Sequence, residues 1–524
     1  MQPVLITGAG PVGMTAALLL ARWQVPTIVL EAAAEHAIVG SRAICFQRDV
    51  LDIFNRIGCA DNIVAEGVTW TTGRTYYGKR ELFAITFSSR GPSTLPPWVN
   101  ISQSSVERTL LEKATAEPLI ELRRGLRVTG VTANEDSVEV AAATATATTR
   151  LRGSYLIAAD GGRSTVRQLL GIGFPGQSFD DQFLICDIRA DLPFPNERRF
   201  FFDPQWNPGR QVLLHQCPDG VWRIDWQVPD DFDLAAEQAN GGLDDRVRQV
   251  TAGAPYEIVW ATAYRFHERV AAHMAQGRVF LAGDAAHLFA PFGARGLNSG
   301  IADAENIAWK LGLVLHGQAA PALLESYHAE RWAAAQENLR VTSQTMEFLA
   351  PQTAELRQAR TRLLQQAVTD PSARSQINSG KLAEPYWYTA SSLTTPGPSL
   401  VGFPVEPGAL RPPVPGVLCP DGPCDRVTPA ARLRQLFGRS FVVLTSSPAA
   451  ADSAAEIATA SMAAPVRSYS LARLDSTGAL RTALAATSES VHVVRPDGYL
   501  AAVMPDLEPT TLKAALRRAA GNLA

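Results

Sequence analysis

The segment VLITGAGPVGMTAALLL, beginning at Val4, constrains the fold more than any other stretch of this chain. A short apolar run, Val4 to Ile6, leads at once into Gly8, Gly10 and Gly13 at G-x-G-x-x-G spacing, and then into an Ala- and Leu-rich run, Met14 to Trp23, with helical character. In such a turn the first glycine permits the sharp bend, the second lets the backbone approach a pyrophosphate, and the third allows close packing of helix on strand. The helix start then directs unpaired N–H groups at the phosphates, so the whole turn, Gly8, Gly10, Pro11, Val12 and Gly13, is expected to hold them. PTIVLEA reads as a second strand ending in Glu31. A carboxylate there can accept both hydroxyls of an adenosine ribose and disfavours a 2′-phosphate, which leaves FAD or NAD as the dinucleotide.

A second unit of the same kind lies far downstream. Gly277 to Leu315 reads GRVFLAGDAAHLFAPFGARGLNSGIADAENIAWKLGLVL: a buried-looking strand, Gly-Asp, a loop of small residues and a long helix. A protein that holds NAD needs one such loop, whereas the ribityl chain and ring of FAD extend past the pyrophosphate and need a surface of their own. Gly283 and Asp284 follow the strand Val279 to Ala282, where the carboxylate can accept a hydrogen bond from a ribityl hydroxyl. The loop from Pro291 to Gly296 is built largely of small residues, so its backbone can lie against a flat ring. Leu297, Ile301, Ala304, Ala308, Leu311 and Leu315 recur at steps of four and three, which predicts one apolar face on the helix that follows. Its start, Gly296, Leu297 and Asn298, offers N–H groups and a positive dipole end to the flavin pyrimidine, worth roughly 0.3–2 kcal/mol to a reduced anion. The two units together read as a cradle for FAD.

Composition narrows the partners. With 524 residues, 46% apolar and 19% charged, the chain is long enough for several globular units. A net charge of −3 carries neither a nucleic-acid footprint nor an electrostatic membrane anchor. No run reaches the roughly 18–20 apolar residues of a membrane span, and PVLITGAG leaves no room for a leader, so a cytoplasmic location is expected. The cysteines at 45, 59, 186, 217, 419 and 424 lack paired ligand spacing. Reduced thiols and no metal are expected.

The pass along the chain predicts an α/β protein. Residues 1–173 form the first part of a Rossmann-like dinucleotide domain, including SRAICFQRDVLDIFNRIG, an Arg-bearing loop and amphipathic helix ending near Gly58. Within it, LRVTGVTANEDSVEVAAATATATT alternates as a β-meander that turns at NED, its Ala/Thr repeat forming an edge strand. Residues 174–273, with RRFFFD, RQVLLHQC and VWRIDWQV, predict an inserted, mostly antiparallel sheet for substrate. Residues 274–390 resume the first domain and add helices. A Pro-rich linker or strap, 391–425, precedes a small α/β domain over 426–524, with RPDG as its hairpin turn.

Three motifs in order, GAGPVG, YLIAADGGRSTVR and GDAAHLFAPFGARGLNSGIADAENIAWKL, make the chain resemble the class A flavoprotein aromatic hydroxylases, the group of para-hydroxybenzoate, phenol and hydroxyphenylpropionate hydroxylases. The resemblance covers residues 1 to about 390 and implies FAD, NADPH or NADH, O2 and a small aromatic substrate, with no separate nicotinamide domain and a homodimer as the assembly. It implies a flavin C4a-hydroperoxide that hydroxylates a phenolic ring. It assigns Arg42 in GSRA to the ribose and phosphates, Gln103 to the flavin's surroundings, and Asp160 to FAD and the nicotinamide cofactor. Larger members add a thioredoxin-like C-terminal domain; here it lacks C-x-x-C, which implies packing or assembly instead of redox. Two departures stand out: Ala290-Pro291 replaces a Pro-Pro pair, and Gly293-Ala294-Arg295-Gly296 replaces Gly-Gly-Gln-Gly. Arg295 then faces either the flavin pocket or solvent.

A phenol is only slightly ionised at neutral pH, so a base or stabilising dipole is expected near the substrate. His215, Arg223 and Asp225 on the predicted substrate sheet are the candidates, Pro291 is placed beside the ring by its carbonyl, and Phe201, Trp222 and Trp226 are candidate pocket walls or core. Two other readings of the same framework are an oxidase or reductase that inserts no oxygen, and a flavin-bearing protein that sequesters an aromatic drug.

Overall fold

The computed structural model describes residues 1–35, 43–87, 95–144, 146–397, 411–425 and 431–522. Val4–Thr7 sits inside a six-stranded sheet between Thr27–Glu31 and Leu156–Ala158, both parallel to it, and Val279–Leu281 extends the parallel set beyond Leu156–Ala158. These strands are short and buried on both faces, as helix-covered parallel strands must be. Their register aligns the ends: Thr7 opposes Ala158, and Ala158 opposes Leu281. The chain segments leaving all three strands therefore emerge side by side at the carboxyl edge, where open α/β sheets bind ligands.

The second sheet has eight strands, in the order His287–Leu288, Tyr256–Val270, Gly176–Ala190, Val221–Val228, Gln211–Gln216, Arg198–Phe202, Thr72–Tyr77, Arg80–Thr86. It is broader than the contiguous 174–273 block expected from sequence, because a hairpin before it and a short strand after it join its edges. Thr72–Tyr77 docks parallel to Arg198–Phe202, a pairing with no local signal. One face, with Leu184, Ile188, Trp222, Ile224 and Trp226, packs on the helix Gly242–Thr251. Trp222 and Trp226 are thus core, and Phe201, stacked on Tyr76 at 4.8 Å, points away from the opposite face. That opposite face presents Phe183, Phe200, Phe202 and Phe266 to Phe292 and to the helices Glu325–Leu349 and Ala354–Ala367.

The meander forms over Arg127–Ala133, Val138–Ala143 and Thr148–Gly153, and Asn134 N–H closes the expected turn on Ser137 O at 2.8 Å. The Ala/Thr repeat is not one edge strand: it straddles the next turn, which Thr144 N–H closes on Ala147 O. The helix Gly296–Leu315 departs from the single apolar face as well, since Asp303, Glu305, Asn306 and Lys310 are buried with the apolar residues. Other helices and the C-terminal unit cover its polar side and supply a partner to each charge.

The C-terminal unit is a four-stranded mixed sheet, Val466–Ser470, Phe441–Thr445, Val491–Val494, Leu500–Met504, with helices Pro448–Thr459 and Pro509–Ala519. Its apolar residues Phe441, Val443, Val491 and Leu512 share one core cluster with the first sheet, and Trp309 meets Phe441 edge-on at 6.1 Å. Part of the expected linker, 398–410, lies outside the described residues. The part after it is no linker: Val417 and Cys419 are buried, and Leu500 N–H bonds Val417 O. Its prolines set an extended strap whose apolar side chains complete the C-terminal core. All six cysteines are free thiols in buried positions.

Candidate active site

Gly8 and Gly13 are packing glycines. A Cβ on Gly8 would lie 2.3 Å from Ala159 O, and one on Gly13 would lie 2.0 Å from Gly8 O, so neither position tolerates a side chain. Gly10 is different: a Cβ there would meet nothing within 4 Å, so the loop opens at the glycine expected to face a pyrophosphate. Gly10 is also the N-cap of the helix Pro11–Arg22 and makes no side-chain cap. The Val12 and Gly13 N–H groups are left for an anion. Val12 locks the second unit to the first: Cβ atoms on Gly283 and Gly300 would lie 2.9 Å and 2.7 Å from its Cγ2. Glu31, at the loop mouth, accepts from Ala9 N–H and Ala33 N–H, both at 2.8 Å, which fixes its carboxylate where a ribose would sit.

Asp284 is exposed in the turn Gly283–Ala285 at the same strand edge. Asp303 holds that turn from below: its carboxylate accepts from Gly283 N–H at 2.9 Å, pairs with His287 at 2.8 Å and with Arg331 at 2.6 Å. Although burial opposes it, the charges of Arg331 and His287 keep the Asp303 carboxyl below its ordinary range. Pro291 is exposed, and its carbonyl closes a turn by accepting from Ala294 N–H at 3.0 Å. Phe292 anchors the loop by inserting among Phe183, Phe200 and Phe266. The helix Gly296–Leu315 has no side-chain N-cap, so the N–H groups of Gly296, Leu297 and Asn298 are available.

Several expected ligands have structural work for their side chains. Asn298 bonds Cys45 O at 2.9 Å and Ala294 O at 2.6 Å and accepts from Gln47 N–H, tying the helix to the strand Cys45–Gln47. Asp160 accepts from Ser164 Oγ at 2.5 Å and Val166 N–H at 3.1 Å; it braces Ser164, the N-cap of the helix Thr165–Leu169, while its backbone abuts Gly8. Gln103 bonds Ala43 N–H and Glu107; the capping itself falls to Ser102. Arg42 lies outside the described residues. Arg295 takes neither expected place. It is buried, bonded to Asn338 at 2.6 Å and Lys381 O at 3.0 Å, and burial lowers its guanidinium to about 10. It props the loop instead of facing a ring or solvent.

The residues fit FAD. One open glycine lies at the first helix start, a second uncapped helix start lies at the other end, and one strand edge carries both, as a ligand with a diphosphate and a remote ring requires. Among the described residues no three His, Cys, Asp or Glu side chains could hold a metal, and no helix is long and apolar enough to cross a membrane.

Above the cradle lies the face of the eight-stranded sheet, and the register puts His215, Arg223 and Asp225 on it together: His215 opposes Arg223, and Asp225 follows two residues on. Arg223 gives two 2.7 Å bonds to Asp187, which hold it charged against the pull of burial. His215 is buried with Nδ1 unpartnered among the described residues, and burial, reinforced by Arg198 and Arg223, keeps its imidazole neutral. Burial pushes the Asp225 carboxyl up to about 7, with Asp187 adding to the shift and Arg223 opposing it. Sequence reading missed the wall beside them. Trp70 and Trp98 stack at 5.6 Å with Phe87 edge-on to both, His215 lies 6.4 Å from Trp70, and Ala294 of the cradle loop joins the same cluster. The two tryptophans oppose each other across strands that are remote in sequence, so no local pattern could pair them.

A cavity of about 70 Å³ runs along the cradle helix from Asn298 to Glu305 and is also lined by Asp49, Arg434 and Tyr499. It is smaller than the roughly 150 Å³ that accommodates benzene. Asp49 there is paired with Arg411 and Arg434, and Glu305 with Arg56, while Arg295 is met by Asn338 and backbone carbonyls.

Comparison with known proteins agrees with this geometry. The FAD binding domain family matches residues 1–342, and the aromatic-ring hydroxylase, C-terminal family matches residues 412–522. Para-nitrophenol 4-monooxygenase of Pseudomonas sp. (strain WBC-3) is 31% identical over 341 residues, covering 63% of this chain and 83% of that protein. The 3-(3-hydroxy-phenyl)propionate/3-hydroxycinnamic acid hydroxylase of Mycobacterium sp. (strain JLS) is 30% identical over 378 residues, 71% of this chain. This chain spans only 65% of that relative's length. The structure of the flavin-dependent monooxygenase PieE in complex with FAD and substrate shares the fold, with a TM-score of 0.85 at 23% identity over 100% of this chain and 99% of that one. The chain belongs to the FAD-dependent aromatic-ring hydroxylases.

Proposed function

We propose that this chain uses NAD(P)H and O2 to hydroxylate a small phenolic substrate, held between the cradle loop and the face of the eight-stranded sheet. The observation that carries the reading is the meeting of two Gly-rich strand ends beneath a buried aromatic wall with unpartnered polar atoms. The relatives' names, a nitrophenol monooxygenase and a hydroxyphenylpropionate hydroxylase, support a single-ring phenol.

FAD, when bound, supplies the redox chemistry that activates oxygen for transfer to the ring. The protein's part is to bind, orient and shield. Gly8, Gly10, Pro11, Val12 and Gly13 hold the diphosphate, Glu31 the ribose, and Asp284 the ribityl chain. Pro291 and the N–H groups of Gly296, Leu297 and Asn298 line the ring end; Gln103 and the Asp160 backbone border the groove. Trp70 and Trp98 exclude water from one side of the substrate. His215 and Asp225, neutral at or just below pH 7, offer the phenol oxygen a nearby acceptor or donor; Arg223, neutralised by Asp187, holds their positions. The C-terminal unit we read as thioredoxin-like in plan and without redox function: Cys419 and Cys424 are not a C-x-x-C pair, and burial pushes both thiols up to about 12.

The test is a screen of phenols for stimulated NAD(P)H oxidation by the purified yellow protein, with oxygen uptake and products followed by mass. One hydroxylated product per NAD(P)H is expected. Stimulated oxidation yielding only hydrogen peroxide with every phenol would favour the oxidase reading, and no stimulation by any aryl ligand would favour sequestration.

A further inference from the structure

Three arginines from the C-terminal part of the chain converge on one helix of the first domain. That helix, Arg48–Arg56, carries Asp49 in its first turn and Asp52 three residues on, so the two carboxylates share a face. Arg434 Nη1 lies between them, 2.8 Å from Asp49 Oδ1 and 2.8 Å from Asp52 Oδ2. Arg411 takes the other oxygen of Asp49 at 2.8 Å, and Arg432 the other oxygen of Asp52 at 2.5 Å. Asp421 and Glu384 end the row, on Arg432 at 2.5 Å and on Arg411 at 2.6 Å. Although burial opposes it, Arg411 and Arg434 hold the Asp49 carboxyl well below its ordinary range.

Buried ion pairs add little net stability over apolar packing, and their best-attested use is to fix one register. What this row registers follows from the helix it grips. Gln47 is the N-cap of that helix, two residues before Asp49, and its N–H donates to Asn298 Oδ1 at 3.1 Å. Asn298 is 2% exposed and donates from Nδ2 to Cys45 O at 2.9 Å and to Ala294 O at 2.6 Å. One side chain thus joins the gripped helix, the strand Cys45–Gln47 and the cradle loop at the start of Gly296–Leu315. At the far end of the gripped helix Arg56 pairs with Glu305 of the cradle helix, so the two helices are stapled twice.

We infer that Arg434, with Arg411 and Arg432 beside it, is a positioning residue for the flavin. The C-terminal unit grips Asp49 and Asp52 and, through Gln47 and Asn298, sets where the uncapped start of the cradle helix stands against the ring. Release of the grip frees Gln47, and Asn298 loses the donor that holds its Oδ1. The N–H groups and positive dipole end of the helix start then lose the fixed placement that favours negative charge on the pyrimidine. The inference rests on the ring end lying at Gly296, Leu297 and Asn298, as in the reading above, and requires no substrate.

The experiment is a double-mutant cycle on the FAD-loaded full chain. FAD release on dilution is read from the recovery of free flavin fluorescence, without turnover. Arg434→Met should weaken FAD binding about tenfold in the wild-type background. In the Asn298→Ala background, where the link is already cut, the same substitution should change it by less than about twofold. Arg434→Lys should recover part of the loss, since a single ammonium replaces a planar fork between two carboxylates. The reduction potential of the bound flavin, measured against reference dyes, should become more negative in Arg434→Met and in Asn298→Ala, and no more so in the double variant. Equal factors in the two backgrounds would overturn the inference. So would unchanged FAD affinity and potential in an Arg434→Met protein whose unfolding midpoint has dropped, because the row would then serve packing alone. Should Arg434→Met or Asn298→Ala not retain FAD through purification, Arg434→Gln and Asn298→Ser complete the cycle. A chain that shows the coupling yet hydroxylates no phenol would fail the proposed function and keep this inference.

Discussion

Two buried polar regions of this molecule lie on opposite sides of the flavin cradle and differ in one respect. Behind the cradle helix, Lys310 bonds Asn306 at 2.7 Å and Glu330 at 2.9 Å, Arg495 pairs with Glu330 and Asp497, and Trp309 donates to Asp497 at 3.1 Å. Every charge there is met by an opposite one. In front of the cradle, Arg198 forms no ion pair among the described residues, though the Asp225 charge acts on it, and Asp225, His215 and Gln211 each keep a buried atom without a partner among those residues. Buried polar atoms are normally satisfied within the fold. A closed network fixes how the C-terminal unit sits on the cradle helix. An open set of donors and acceptors on the sheet face is what the proposed substrate would complete.

Breaking the closed network should cost most. Glu330→Ala leaves Lys310 buried without its carboxylate and Arg495 with Asp497 alone, and denaturant unfolding should show a loss of about 3–5 kcal/mol. Next comes the seam between the two Gly-rich units. Gly300→Ala drives a Cβ to 2.7 Å from Val12 and 3.0 Å from Gly283 Cα, with an expected loss of about 1–3 kcal/mol and a lower FAD content after purification, read from the flavin absorbance.

The open face should respond with the opposite sign. Asp225 has its folded value raised to about 7 from 3.8, so between those pH values the unfolded chain gives up the proton first and stability falls as pH rises. Asp225→Asn removes this slope. Its melting temperature should match the wild type near pH 4 and exceed it at pH 8 by the equivalent of about 1–3 kcal/mol. A constant gap across pH would show that the carboxyl is solvated. The smallest effect is expected for Gln211→Leu, in which both unpartnered side-chain atoms disappear and stability rises by up to about 1 kcal/mol in the same unfolding assay, with weaker substrate binding as the accompanying loss.

The cradle was legible in sequence because its information is local. Gly8 and Gly13 are required by backbone contacts and Gly283 by the Val12 side chain of the unit alongside, and each such unit announces itself by spacing. The roles of Asn298, Asp160 and Arg295 were less legible. Their positions followed from the motifs, but the side chains of Asn298 and Arg295 turned to Cys45 and Lys381, partners that only chain packing supplies, while Asp160 turned to Ser164 within its own motif. Arg198, Trp70 and Trp98 escaped entirely, since an arginine or tryptophan in a short alternating strand looks the same on either face until the register is known.

By itself the sequence determined that two glycine turns would each end a buried strand and open a helix, because the steric demands of a tight turn and a close backbone approach are met or failed within a few residues. Only the tertiary structure decided that both turns meet at Val12, that the second helix is buried on its charged side, and which of the buried charges have partners. Pairing depends on strands and helices that are far apart in the chain, and the energy of a buried charge is set by whatever group folding brings against it.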